Sequence, residues 1–353
     1  MSFPLQPLAR RREEDYEFLE LLGRGNFTSV HKAIELDTGR RCAVKVIERY
    51  RCTRLKKIDD VWMERHCLRR TNHPNIVKLY GHFSDGNFIY VVMEECSGGE
   101  AWELVKNIGC PEYLARHWLS QVICAIDYLR QARIVHRDLK AENVMLNHEG
   151  VVKLIDFGTA KDLENPHIKG SGNASRSKVF EDYVGTPQFM PPEVIENKFT
   201  DNRSDTWSFG CLVFQVLTGI PPFHGASEYL CFLRIQDMDL QFPPGVSPQA
   251  HDLITKIVVK DPDARLGAHD TSEWKLHEFF TGAVFKEVHA QPPPVLTLTD
   301  LCLRHIGGNA SQADLIEKWG KADKLTEGVR QALDRMDVVR KWADKATPPQ
   351  DDV

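Results

Sequence analysis

"HRDLKAEN", His136 to Asn143, and the "DFG" that follows it, Asp156 to Gly158, decide how this chain is read. Moving a phosphoryl group onto a hydroxyl needs three things. They are a carboxylate to receive the hydroxyl proton, oxygen ligands for a metal ion, and a cation beside the transferred group. Asp138, the pair Asn143 and Asp156, and Lys140 supply these in turn. A downstream "PPE" and an upstream "AVK" make chance co-occurrence improbable.

Working toward the N-terminus, "GRGNF" places Gly23 and Gly25 ahead of Val30, in a tight turn where backbone N–H groups can approach phosphates. A plain β-turn explains that stretch about as well, and Thr28 stands where a third glycine is usual. "AVK" ends on Lys45, an ammonium in an apolar strand that is costly without an anionic partner. Glu64, on the helical stretch "DDVWMERHCLRR", can be that partner and hold the amine against nucleotide phosphates. A structural salt bridge is the competing explanation.

Around these motifs the periodicity changes once. Residues 16 to about 97 hold β-branched runs such as "RCAVKVI" and "NFIYVVM" around that one helical stretch, which predicts a small strand-rich lobe. From about 98 to 280 the pattern is helical, as in "PEYLARHWLSQVICAIDYL", with brief strands at "NVMLN" and "VVKLIDF". The expected fold is therefore α+β with two unequal lobes, preceded by a segment 1–15 and followed by a tail 281–353. In the tail "QPPPVL" reads as an extended spacer, and Leu315 to Val339 recur at helical spacing, as a packed helix or a partner-binding one. "LENPHIKGSGNASRSK", Leu163 to Lys178, is polar and Gly/Ser-rich and predicts a loop.

Composition bounds the function. A net charge of -5 with interleaved signs gives no field that attracts nucleic acid. Nine scattered Cys without a C-x-x-C pair predict reduced thiols and a cytoplasmic setting. No leader-like start or spanning apolar run is present, so the "NAS" triplets at Asn173 and Asn309 carry no glycosylation argument.

Over about Tyr16 to Phe280 the sequence resembles the eukaryotic protein kinase domain, and Lys140 with Thr186 in "GTPQF" resembles the serine/threonine class. The resemblance implies a bilobal kinase fold using ATP and Mg²⁺. It implies that Met93 is the gatekeeper, that Glu94 and Cys96 offer backbone hydrogen bonds to adenine, and that Glu100 faces the ribose. Val30, Ala43 and Met145 would sandwich the base, and Leu68, Leu79, His136 and Phe157 would stack as a spine. Asp205 would brace the catalytic loop, and Arg265 would pair with Glu193. Ala141 and Pro192 depart from the commoner residues without removing a catalytic group.

"EEDYEFLELLGRGNF", "LIDFGTAK" and "GIPPFHGASEYLCFLRI" are similar to the phosphoinositide-dependent kinases of the AGC group. That likeness implies protein substrates that are themselves AGC kinases, docked through a hydrophobic motif. From Gly282 onward only Phe285 is a phenylalanine, so the chain's own tail has no such motif. By alignment the vacant pocket would be lined by Arg49, Ile58, Val61, Ile89 and Trp62, with Arg10 and Arg65 holding a phosphate. A solvated rim around a few apolar residues is the alternative. Too few residues follow 281 for a pleckstrin homology domain, so direct lipid binding is not expected.

In the resembled kinases a phosphoserine stands where this chain has Asp182, facing Arg137. A carboxylate brings less charge than a phosphate but brings it permanently. Asp182 is thus expected to keep the loop switched on, unless Ser175, Ser177 or Thr186 is the true switch. A pseudokinase scaffold and a generic serine/threonine kinase without a docking pocket remain as alternatives.

Overall fold

The structure, a computed structural model, describes Leu5 and residues 11–107, 109–165 and 184–294. Its N-terminal lobe is built on a five-stranded antiparallel sheet, in the order β1-β2-β3-β5-β4. The strands are β1 (Tyr16–Arg24), β2 (Thr28–Glu35), β3 (Arg40–Glu48), β4 (Leu79–Ser84) and β5 (Phe88–Glu94). Two helices interrupt them, α1 (Arg49–Arg54) and α2 (Ile58–Arg70). The sequence pattern pointed to only one. The short α1 carries a single buried residue, Cys52, so it has almost no apolar stripe to reveal it.

Both faces of the sheet are covered. On one side Ile47, Ile89 and Val91 join Val61 and Leu68 of α2 in the main core. On the other, Tyr16, Val44, Tyr90 and Val92 form a separate aromatic-rich cluster, in which Phe83 stacks on Tyr90 with centroids 4.6 Å apart.

The second lobe is helical: α3 (Ala101–Val105), α4 (Glu112–Gln131), α5 (Pro192–Ile195), α6 (Asn202–Thr218), α7 (Glu228–Asp237), α8 (Pro248–Ile257) and α9 (Ser272–Leu276). From Ser204 to Thr218 every residue of α6 is buried, which makes it the axis of the lobe. Asp201 caps it by accepting the Arg203 N–H, and Gly219 ends it in the left-handed conformation at φ 74. Gly210 lets α8 approach, since a Cβ there would lie 2.7 Å from side-chain carbons of Ile257 and Val258. Short strands line the boundary between the lobes: β6 (Gly99–Glu100), β7 (Ile134–Val135), β8 (Val144–Leu146), β9 (Val152–Leu154) and β10 (Lys161–Asp162). One apolar cluster runs from Ile47 and Leu68 through Leu154 and Phe157 to Trp207 and Trp274, so both lobes share a core. No described helix is long and apolar enough to cross a membrane, and the eight described cysteines are free. Gln291 to Pro294 is non-helical and lies against the lobe, with Pro293 beside Gly150; the rest of the predicted spacer, 295–296, lies outside the described residues. The predicted tail helix lies outside the described residues.

Two imidazoles make the fold acid-sensitive. Burial pushes His73 and His82 down to about 4 from the usual 6.5, with His289 and Arg65 respectively adding repulsion. The unfolded chain therefore binds protons between pH 6.5 and 4 that the folded one refuses. Stability is complete above that window and falls as pH drops through it. The melting temperature is expected to be lower at pH 5 than at pH 7, and less so in a His82→Phe chain. An unchanged slope in that chain would remove His82 from this account.

Candidate active site

β3 lies between β2 and β5 with Lys45 opposite Val30 and Val91. That register aims the ammonium at α2, where Lys45 Nζ donates to Glu64 Oε1 at 2.9 Å and Oε2 at 3.0 Å. Asp156 Oδ1 stands 3.7 Å away. Burial alone would lower the Lys45 pKa; Glu64 and Asp156 overcome it and hold the amine above the ordinary lysine value. Lys45 in turn holds the Asp156 carboxyl below its usual value, helped by the Gly158 N–H.

The loop after β7 is fixed from beneath. Asp205, buried at the start of α6, accepts the N–H groups of His136 at 2.7 Å and Arg137 at 2.8 Å. Arg137 is held at φ 68 and Asp156 at φ 56, a conformation that non-glycine residues rarely adopt. His136 packs edge-on against Phe157 with centroids 4.8 Å apart, and Leu68 and Leu79 are buried in the same cluster. The Arg137 guanidinium donates to the carbonyls of Thr159 and Ala160, tying the loop to the segment after Gly158.

Asp138 is only 8 % exposed and its carboxylate is fully engaged. Oδ2 accepts from Asn143 Nδ2 at 3.0 Å and Lys140 Nζ at 2.8 Å. Oδ1 accepts from the Thr186 N–H at 3.0 Å and its hydroxyl at 2.7 Å. Lys140 Nζ also donates to the Thr186 hydroxyl at 2.6 Å. Gly185 makes this approach possible: its φ is 120, and a Cβ would sit 2.7 Å from the Arg137 carbonyl oxygen.

The residues present suit a hard divalent cation. Asn143 spends its amide nitrogen on Asp138, leaving its oxygen to ligate, and the Asp156 side chain is half exposed. Among the described residues no group of three or more His, Cys, Asp or Glu is placed to hold a metal. Two oxygen ligands completed by phosphate and water are the usual arrangement for magnesium.

Toward the lobe boundary, Met93 pairs with Ala43 across β3 and β5. The Glu94 side chain is gripped by Lys153 at 2.6 Å, and Lys153 stands opposite Met145 between β8 and β9. This buried lysine, which couples residues predicted to surround the adenine, was not singled out from the sequence, because only pairing reveals its partner. Burial pushes the Cys96 thiol up to about 12, so it stays neutral. Glu100 is exposed and pairs with Met145. In the glycine turn the Gly25 N–H donates to Thr28 O at 2.8 Å, and a Cβ on Gly25 would fall 2.5 Å from the Thr28 hydroxyl oxygen. Gly23 pairs with Val30.

The predicted docking patch divides. Val61 and Ile89 are buried in the core, at 6 % and 3 % exposure, while Arg49 is exposed and Ile58, Trp62 and Arg65 are half-buried. A docked side chain would therefore meet a narrower apolar surface than the sequence implied. Arg10, Asp182, Ser175 and Ser177 lie outside the described residues.

A family profile described as "Protein kinase domain" matches residues 16–280, and the chain belongs to that family. It is 35% identical over 298 residues to the human "Putative 3-phosphoinositide-dependent protein kinase 2", covering 83% of this chain and 73% of that one. To the human "3-phosphoinositide-dependent protein kinase 1" it is 35% identical over 298 residues, 83% of this chain and 52% of that one. The "Serine/threonine-protein kinase PKH2" of Saccharomyces cerevisiae is 38% identical over 290 residues, 80% of this chain and 26% of that one. Family and relatives together make this a serine/threonine protein kinase, similar to the phosphoinositide-dependent kinases of the AGC group. The chain spans about half the length of the human 3-phosphoinositide-dependent protein kinase 1 and about a quarter of the yeast relative.

Proposed function

We propose that the chain transfers the γ-phosphate of ATP to serine and threonine hydroxyls in the activation loops of related AGC kinases. The phosphotransfer rests on Asp138, ringed by Lys140, Asn143 and the Thr186 hydroxyl, and on the Lys45–Glu64 pair, with Lys45 and Lys140 both acting on the Asp156 carboxylate; the substrate class rests on the likeness to the relatives. In this reading Lys45 orients the α- and β-phosphates, and Asp138 accepts the substrate hydroxyl's proton. Lys140 steadies charge on the moving group, and Asn143 and Asp156 hold Mg²⁺. Magnesium, when bound, neutralises charge on the phosphate oxygens. That the Thr186 hydroxyl already donates to Asp138 and accepts from Lys140 supports a site that receives an aliphatic hydroxyl.

The substrates' hydrophobic motif is proposed to dock beside α2, with a phosphate held near Arg65. Support comes from two buried nitrogens without hydrogen-bond partners, Arg65 Nε and His82 Nε2. Trp62 bridges them, 5.5 Å from the His82 ring and 5.0 Å below the Arg65 guanidinium. Burial and Arg69 both depress the Arg65 pKa, so an incoming anion would relieve an unfavourable site. A phosphorylated hydrophobic-motif peptide is expected to stimulate transfer by the intact chain severalfold, and Arg65→Ala to remove the stimulation while leaving basal turnover. Equal stimulation of both proteins would dismiss the docking site.

We further propose that Asp182 stands in for a loop phosphate by pairing with Arg137. Asp182→Ala should then lower the turnover of phosphatase-treated protein several-fold. Unchanged turnover would assign the switch elsewhere.

A further inference from the structure

The beginning of the activation segment is tied to α2 by charges that the catalytic reading leaves unused. Asp162 ends β10, opposite Ile134 of β7, and its side chain is completely buried. Its Oδ2 accepts from His66 Nε2 at 2.7 Å, Arg70 Nη1 at 2.5 Å and Asn165 Nδ2 at 3.1 Å. Its Oδ1 accepts the N–H groups of Glu164 at 2.9 Å and Asn165 at 3.1 Å. Arg70, itself 6 % exposed, reaches Glu164 with its other terminal nitrogen at 2.5 Å. Burial by itself would raise the Asp162 pKa, yet the bonds from His66 and Arg70 carry it well below the usual carboxylate value.

Position gives the cluster its meaning. His66 and Arg70 are four residues apart and share one stripe of α2, while Glu64 on another face of the same two turns reaches Lys45. A rotation of α2 that carried Glu64 off Lys45 would also pull His66 and Arg70 from Asp162. β10 is paired with β7, whose next residue is His136, and the Leu163 N–H donates to Arg133 O at 2.8 Å. The cluster thus joins the helix bearing Glu64 to the strand that leads into the catalytic loop. In protein kinases that helix's position is commonly controlled by activation-loop phosphorylation. Here the connecting charges belong to the polypeptide.

We propose that Asp162, Arg70 and His66 are positioning residues, a clamp that keeps α2 and its Lys45–Glu64 pair in place without any phosphate on the chain. The proposal rests on the phosphotransfer reading, and on neither the docking patch nor Asp182.

The test measures kcat and ATP KM of phosphatase-treated intact protein on a serine peptide without a docking motif. Asp162→Asn is introduced into the wild-type and into the Glu64→Gln background. The expected result is a fall in kcat of roughly tenfold or more in the wild-type background and less than about threefold in Glu64→Gln, because the clamp acts through Glu64. Equal factors in the two backgrounds would reduce the cluster to general stability, and no fall would discard it. If Asp162→Asn does not melt cooperatively above the assay temperature, His66→Ala is judged by the same comparison, since it removes one donor and keeps Arg70. Wild-type protein active only before phosphatase treatment would overturn the clamp and keep the kinase. Inactivity both before and after would overturn the phosphotransfer reading with it.

Discussion

Asp156→Ala is expected to lower phosphoryl transfer by about 10²–10³-fold or more, the loss typical of removing one preorganised electrostatic partner of the transition state. The change removes a proposed metal ligand and also one of the two carboxylates facing Lys45, whose Nζ lies 3.7 Å from Asp156 Oδ1. Glu64 remains at 2.9 Å, so the buried ammonium keeps a partner and the fold should survive. The defect should therefore appear in kcat, with the melting temperature nearly unchanged. Raising Mg²⁺ should not restore the rate, since a second oxygen ligand is gone. Retained activity in this variant, measured with radiolabelled ATP, would overturn the site assignment.

Arg265→Ala should have the largest effect on stability. Its guanidinium is fully buried and donates to Glu193 through both terminal nitrogens, at 2.8 and 2.7 Å, and to the carbonyls of Val259, Lys260 and Arg203. Removing it strands the Glu193 carboxylate, whose remaining described bond is the Ser204 hydroxyl at 3.1 Å. Leaving one charge of a buried pair without its partner costs about 3–5 kcal/mol, or roughly 10 °C in melting temperature for a domain of this size. Thermal melts read this directly. A fall of only about 2 °C would mean that water reaches Glu193 and that the pair does not anchor α5 to the lobe.

The grouping of Asp138, Lys140 and Asn143 was legible because the three lie within one short stretch and meet through local turns. Lys45 and Glu64 were legible as a pair because an ammonium in an apolar strand demands an acid, although nothing in the spacing set their 2.9 Å contact. Contacts between polar residues on distant elements were not readable. Lys153 to Glu94 and Arg70 to Asp162 involve ordinary charged residues, and only the pairing of β8 with β9 and of β10 with β7 brings them together. The buried state of Val61 and Ile89 was hidden for a related reason. An apolar residue in a pattern declares that it will be covered, without saying whether its own core or a visiting peptide does so.

The decisive measurement gives phosphatase-treated protein ATP, Mg²⁺ and a related kinase's activation-loop peptide, with and without a fused hydrophobic motif. Transfer to the peptide's hydroxyl, increased by the motif, is the expected result. Transfer to neither peptide would contradict it.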